Sequence, residues 1–228
     1  VSGRGVAALK RHGIETRVGV LEDQCRGINE AFFKFIRTRI PFVTLKFAQS
    51  LDGKIATSTG HSRWISSEPS RIYAHRLRSL HDAILVGSGT VTKDDPELTC
   101  RLIKGRDPLR VIVDSKLKIH PGARVLQDQD RARTLVFTTS GQDKKKSKLL
   151  MNEGIEVRVA GTRQVDLSAV LSELGRRQVS SLWNTDEVPS AYSTHRSSMS
   201  RGSPKSTVAV GTLSRGAKQA MCVFVSTA

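Results

Sequence analysis

Acidic side chains are scarce in this 228-residue chain: 21 Asp and Glu stand against 37 Lys and Arg, leaving a formal charge of +16. Such an excess predicts an anionic partner, either nucleic acid or a phosphorylated small molecule. Aromatic residues are also few, at 5%, and the one dense basic run, Lys144-Lys145-Lys146 with Lys148, has no aromatics interleaved. It reads as the solvated start of a helix, and no nucleic-acid partner is expected. The three cysteines, Cys25, Cys100 and Cys222, are odd in number and far apart, which excludes a disulfide framework and a Cys-x-x-Cys metal site and makes a reducing compartment the default. No apolar run reaches membrane-spanning length, Val1 to Gly5 lacks a signal-peptide core, and no membrane partner is expected. The 38% hydrophobic content is enough for one full domain with extra pieces.

The densest stretch runs from Pro41 to Arg101. Val43, Leu45 and Phe47 alternate with Thr44, Lys46 and Ala48, the period-2 pattern of a strand with one apolar face, so Lys46 points the same way as Ala48. A turn at Ser50-Leu51-Asp52-Gly53 follows. Ser66 or Ser67 as N-cap and Pro69 in the first turn predict a helix carrying Ile72, His75, Leu77 and Leu80, with Arg71 and Arg78 on one side. Ala83 to Val86 reads as a strand buried on both faces, ending in Gly87-Ser88-Gly89-Thr90, either a plain turn or a place where a phosphate or sugar approaches the backbone.

The remaining chain alternates strands and helices. Gly5 to Gly13 predicts a short helix, Ile14 to Val20 a strand, and Leu21 to Arg37 a helix with Cys25, Ile28, Phe32 and Ile36 on its apolar face. Pro108 to Ser115, Thr134 to Thr139 and Gly154 to Val159 read as further strands, with a basic helix reaching about Asn152 and an amphipathic one over Leu167, Val170, Leu171 and Leu174. This order implies an α/β fold with a mostly parallel sheet covered on both faces.

Within this frame, Ser-Leu-Asp-Gly-Lys-Ile-Ala, Ser-x-Trp-Ile, Arg-x-x-x-x-Arg-Leu-Arg, Asp-Ala-Ile-Leu-Val-Gly, Gly-Thr-Val-x-x-Asp-Asp-Pro-x-Leu-Thr and Pro-Leu-Arg-Val-Ile-Val-Asp-Ser occur in order. The chain thereby resembles the reductase domain of the bifunctional riboflavin-biosynthesis deaminase/reductase over about residues 1–182. The resemblance implies a dihydrofolate-reductase-like fold and reduction of 5-amino-6-(5-phosphoribosylamino)uracil to its ribitylamino counterpart with NADPH. It places Ala48, Trp64, Thr90, Asp94 and Ser115 against the cofactor, and Ser62, Arg78, Leu98 and Arg101 against the substrate. Taken alone, Arg78 and Arg101 read as solvated charges, Trp64 as a core residue and Asp94 as a turn or cap. Lys46, the one ionisable group on its strand, is the candidate catalytic residue, to polarise or protonate the ribose oxygen or imine, with snorkelling to the strand edge as the alternative.

The departures carry expectations too. No His is followed two residues later by Glu and no two Cys are close, so no zinc and no deaminase activity are expected. Residues 1–40 are expected to be the end of a deaminase domain with its linker, and 41–182 the first part of the reductase domain. From Trp183 on the resemblance stops: residues 183–228 have no paired glycines and are about a third Ser and Thr, a composition that predicts a disordered tail. Val208 to Val210 and Met221 to Val225 are its candidates for short strands. Without a later Gly-rich turn to hold cofactor phosphate, the expectation is a weak or inactive reductase. The alternatives are another dihydrofolate-reductase-like enzyme or a basic nucleic-acid binder. The compartment expected is the cytoplasm, or a plastid in a plant, and a homo-oligomer is a further expectation.

Overall fold

Runs of β-branched and aliphatic residues too short for helices build the centre of the computed structural model, which describes residues 3–50, 67–185 and 219–226, the last segment and 47–50 by backbone alone. Seven strands form one sheet: β1 (Phe42–Ser50), β2 (Ala83–Gly87), β3 (Leu109–Val113), β4 (Thr134–Thr138), β5 (Glu156–Val159), β6 (Ser181–Asn184) and β7 (Gln219–Ser226). Their spatial order is β5-β4-β3-β2-β6-β1-β7, parallel throughout except for β7, which runs antiparallel to β1.

Helices cover both faces because β2, β3 and β4 are apolar on both. One face packs Ile84, Val86, Ile112, Val136 and Trp183 under α4 (Glu68–Ser79) and α6 (Lys144–Asn152). The other packs Leu85, Val111, Phe137 and Leu182 under α7 (Leu167–Arg176). Each covering helix starts on a side-chain cap: Ser67 accepts from Ser70 N, Asp143 from Lys145 N and Lys146 N, and Asp166 from Ser168 N. A short helix, α5 (Ser88–Asp94), follows β2 directly.

At the amino ends of the strands the Asp82 carboxylate accepts from Ser180 N at 2.9 Å, Ser180 Oγ at 2.6 Å and Arg106 Nη2 at 2.9 Å. These bonds tie the entry of β6 to that of β2, and they outweigh the opposing effect of burial to hold the carboxyl at about 2. At Gly175 the backbone of α7 closes on the Arg39 carbonyl, which a Cβ would approach to 1.9 Å. Only glycine fits there.

Three expectations are corrected. Ile14 to Val20 forms no strand: among the described residues it has no partner to supply a hydrogen-bonded ladder. The helix expected over Leu21 to Arg37 is two, α2 (Glu22–Ile28) and α3 (Glu30–Thr38), because Asn29, at φ −106° and ψ 22°, leaves helical geometry; its side-chain amide joins its own N–H on the Cys25 carbonyl, at 2.9 Å. The boundary drawn at 182 falls inside β6, whose Trp183 is 1% exposed. Four residues, two of them polar, are too few for a strand to be legible by period. Met221 to Val225, a candidate for a short strand, lies in β7, which pairs along β1 and covers that edge. Val208 to Val210 and the turn at Asp52-Gly53 lie outside the described residues.

Candidate functional site

Alternation along β1 sends Thr44 and Lys46 to the α4 face and Val43 to the opposite one. Thr44 is tied to the end of α4 through His81, whose ring nitrogens lie 2.9 Å from Thr44 Oγ1 and 2.8 Å from the Leu77 carbonyl and whose ring meets Trp183 edge-on at 5.0 Å. Two residues nearer the carboxyl end, half-buried Lys46 comes under the field of Arg78. Burial first, and that guanidinium second, lower its pKa below the ordinary lysine value. Arg78 donates from Nη1 to the Thr99 carbonyl at 2.7 Å, while its buried Nε has no partner. Burial is the main reason its own pKa drops to about 10.

His75 stands one helical turn before Arg78, 6% exposed, with Nδ1 unpartnered. Burial, then the charges of Arg78 and Arg101, push it down to about 4, against a smaller opposing pull from Asp107, so it is neutral at physiological pH. Arg101 reaches into solvent, 3.8 Å from the Glu97 carboxylate. Three cations and a neutral imidazole thus gather on one side of the sheet. The positive charge concentrated there, which adds to burial in lowering the pKa of Lys46 and of His75, is relieved by an anion, and a phosphate presents the oxygens that forked guanidinium donors bind.

On the α7 face lies a cavity of about 710 Å³. Val43, Leu85, Leu182 and Leu171 form its apolar wall; Gly87, Ser88, Ser115 and Asn184 form its rim at the carboxyl ends of β2, β3 and β6. Ligands of open α/β sheets bind at such strand ends. Asp114, 1% exposed, is spent on structure, its carboxylate accepting from Ile119 N at 2.8 Å. Ser115 Oγ accepts from Val165 N at 3.1 Å, which docks the 160–166 loop beside β3 and leaves the hydroxyl proton to donate.

Of the residues expected at the site, Lys46, Arg78 and Arg101 come together, and Ser115 lines the cavity on the other side of the sheet. Thr90 and Asp94 sit on α5 and do not line the cavity, where Gly87 and Ser88 form the wall instead. Ala48 is in β1 opposite Met221. Leu98 is 4% exposed, packed in the core with φ 59°. Ser62 and Trp64 lie outside the described residues. Sequence reasoning passed over His75 as a site residue, and with it Lys116, Lys118, Arg163 and Asn184. The lysines had a signal in their alternation with buried Leu117 and Ile119; Arg163 had none. Among the described residues no group of three His, Cys, Asp or Glu is placed to hold a metal ion, and no helix is long and apolar enough to cross a membrane.

Comparison with known proteins gives this geometry a family. The RibD C-terminal domain model matches residues 41–185. The riboflavin biosynthesis protein RibD of Bacillus amyloliquefaciens is 44% identical over 184 residues, which are 80% of this chain and 49% of that protein. The chloroplastic riboflavin biosynthesis protein PYRR of Arabidopsis thaliana is 40% identical over 165 residues, 68% of this chain and 27% of that one. The crystal structure of a diaminohydroxyphosphoribosylaminopyrimidine deaminase/5-amino-6-(5-phosphoribosylamino)uracil reductase from Thermotoga maritima superposes with a TM-score of 0.75 at 30% identity, covering 100% of this chain and 68% of that one. The chain spans about half the length of the RibD relatives it matches. It belongs to the RibD C-terminal domain family.

Proposed function

We propose that this chain reduces 5-amino-6-(5-phosphoribosylamino)uracil to the 5-phosphoribitylamino compound with NADPH. Family membership supports a reductase, and the Thermotoga maritima structure is named for this substrate. The observation that carries the reading is half-buried Lys46 in the field of Arg78, whose guanidinium is fixed on the Thr99 carbonyl, a concentration of positive charge that an anionic ligand relieves. In this reading Arg78 and Arg101 grip the ribose 5-phosphate, and His75 adds a neutral donor or acceptor beside them. The nicotinamide supplies the hydride to ribose C1. Lys46 gives a proton to the imine nitrogen or ribose oxygen as that hydride arrives, a task suited to an ammonium whose pKa is lowered. Ser115 and the strand-end rim at Gly87 and Ser88 would hold the part of the cofactor remote from the nicotinamide, which has to cross the carboxyl ends of the strands to meet the substrate on the Lys46 face.

A folate-type substrate fits less well, because it has no phosphoribosyl group to meet Arg78 and Arg101. The plant relative is named chloroplastic; for this chain the reading implies the cytoplasm, or a plastid in a plant. The deciding experiment incubates the purified chain with NADPH and the phosphoribosylaminopyrimidine and follows loss of reduced nicotinamide absorbance together with appearance of the ribityl product by mass spectrometry. Substrate-dependent oxidation supports the proposal. None, even with the relatives' carboxyl-terminal ending grafted on, overturns it.

A further inference from the structure

The end of α4 meets β1 and β6 at one side chain, His81. Its Nδ1 lies 2.8 Å from the Leu77 carbonyl and its Nε2 2.9 Å from Thr44 Oγ1, a residue 37 positions away in the chain. A carbonyl only accepts, so Nδ1 carries the proton. Burial outweighs the Leu77 bond and the Asp82 carboxylate and keeps the ring below the ordinary histidine value. The imidazole is therefore neutral at physiological pH, its Nε2 offers a lone pair, and the buried Thr44 hydroxyl donates to it. The ring is also held from the side, edge-on to Trp183 at 5.0 Å, and Trp183 is the β6 register partner of Thr44. The His81 backbone is fixed as well: its N–H donates to the Arg78 carbonyl at 3.1 Å and its carbonyl accepts from Arg106 Nη2 at 3.3 Å.

Thr44 precedes Lys46 by two residues on the same face of β1, and His81 follows Arg78 by three. One side-chain bond thus joins the strand that carries Lys46 to the helix end that carries Arg78. The apolar packing of Tyr73, Ala74 and Leu77 on the sheet is non-directional and tolerates a slide of α4 along β1; a hydrogen bond with an assigned donor and acceptor does not. Resting on the reading of Lys46 as the proton donor, we propose that His81 and Thr44 are positioning residues that hold Lys46 in register with Arg78. Arg78 has its own anchor on the Thr99 carbonyl, so the member released when the bond is lost is Lys46. Its ammonium then moves toward water and away from the guanidinium, and both causes of its lowered pKa weaken together. The grip on the substrate phosphate, which falls to Arg78 and Arg101, is left in place.

The test separates the two bonds of the ring. An Asn amide nitrogen stands near the place of Nδ1 and a Gln amide near that of Nε2, so His81→Asn keeps the Leu77 bond and loses Thr44, whereas His81→Gln does the reverse. Thr44→Val removes the hydroxyl at nearly constant shape and Thr44→Ser retains it. The first readout needs no turnover: a 13C NMR titration of Lys46 in lysine-labelled chain, its resonance identified by its loss in Lys46→Met. Arg78 is the one charge acting on Lys46 among the described residues, so Thr44→Val and His81→Asn are expected to move the titration up toward the ordinary value, and Thr44→Ser and His81→Gln to return it to that of the parent. Combining Thr44→Val with His81→Asn should move it no further than either alone, because both remove the same bond. In turnover the Val and Asn variants should lose about 10- to 100-fold in kcat with KM for the pyrimidine within about twofold. An unmoved Lys46 in Thr44→Val overturns the inference, as does a shift in His81→Gln equal to that in His81→Asn, which would make the histidine a helix cap and nothing more. If the parent reduces no substrate while Lys46 still moves with the bond, the reading of the reaction falls and the positioning of Lys46 against Arg78 stands.

Discussion

Arg78 is held by Thr99: its Nη1 donates to the Thr99 carbonyl at 2.7 Å, so a charge that would otherwise swing on a surface helix is fixed against the loop carrying Arg101. That bond uses one donor of the guanidinium and leaves others for a ligand, while the unpartnered Nε is buried. Arg78→Ala should therefore weaken the phosphoribosyl substrate by about 10- to 100-fold, from loss of a charge-assisted bond, with NADPH binding little changed. Calorimetric titration of each ligand checks this, and equal losses for both would remove Arg78 from the substrate side.

Lys46 should set the alkaline limb of activity. As a proton donor it works only while protonated, so kcat falls as pH rises through its depressed pKa, below the ordinary 10.5. Lys46→Met is expected to lower kcat about 100-fold or more and to abolish that limb. A pH profile unchanged in the variant would assign the proton elsewhere.

His75 predicts a stability change in acid. Between pH 6.5 and about 4 the unfolded chain binds a proton at this imidazole that the folded chain excludes, so stability falls as pH drops through that window and the loss is complete below it. Arg78 and Arg101 oppose the proton and Asp107 favours it less strongly. The full loss is about 3 kcal/mol. Urea melts at pH 7 and pH 4.5 should differ by less in His75→Gln than in the parent; an identical pH response would deny the burial its role.

Gly175→Ala should destabilise by about 2 kcal/mol or more, since its Cβ would collide with the Arg39 carbonyl and either α7 or the segment before β1 must move. Because α7 also walls the cavity, dinucleotide affinity should fall with stability. Thermal melting checks the first and a binding titration the second.

The carboxyl-terminal segment yields the last prediction. Among the described residues no second Gly-rich turn follows β6, and two or three missing bonds to a charged phosphate cost about 3–9 kcal/mol. Since Trp183 and Asn184 belong to β6, a graft of the relatives' ending must begin after Thr185. That chimera should bind NADPH at least about tenfold more tightly than the parent, whereas removal of β7 from the parent should lower solubility by baring the β1 edge. Micromolar NADPH binding by the parent would contradict the first expectation.

Local pattern decided much of this fold before any tertiary contact. The unbroken apolar strands at 83–87, 109–113 and 134–138, the cap at Ser67 with Pro69 in the first turn, and the alternation that puts Lys46 on the face of Thr44 all follow from short-range periods and backbone chemistry. Arg78 and Arg101 are read toward a ligand only through family motifs, because nothing in a helical or loop charge says whether it meets solvent or a ligand. Tertiary structure alone decided the rest. It put β6 between β2 and β1, although a four-residue strand has no readable period, and it interrupted the helix at Asn29. It buried Leu98, whose neighbours in the core are distant in sequence. It also separated Ser115 and Lys46 onto opposite faces of the sheet and joined Lys116 and Lys118 to Arg163, some 45 residues apart. A strand's period tells which residues share a face; only the packing of helices onto that face tells what the face will meet.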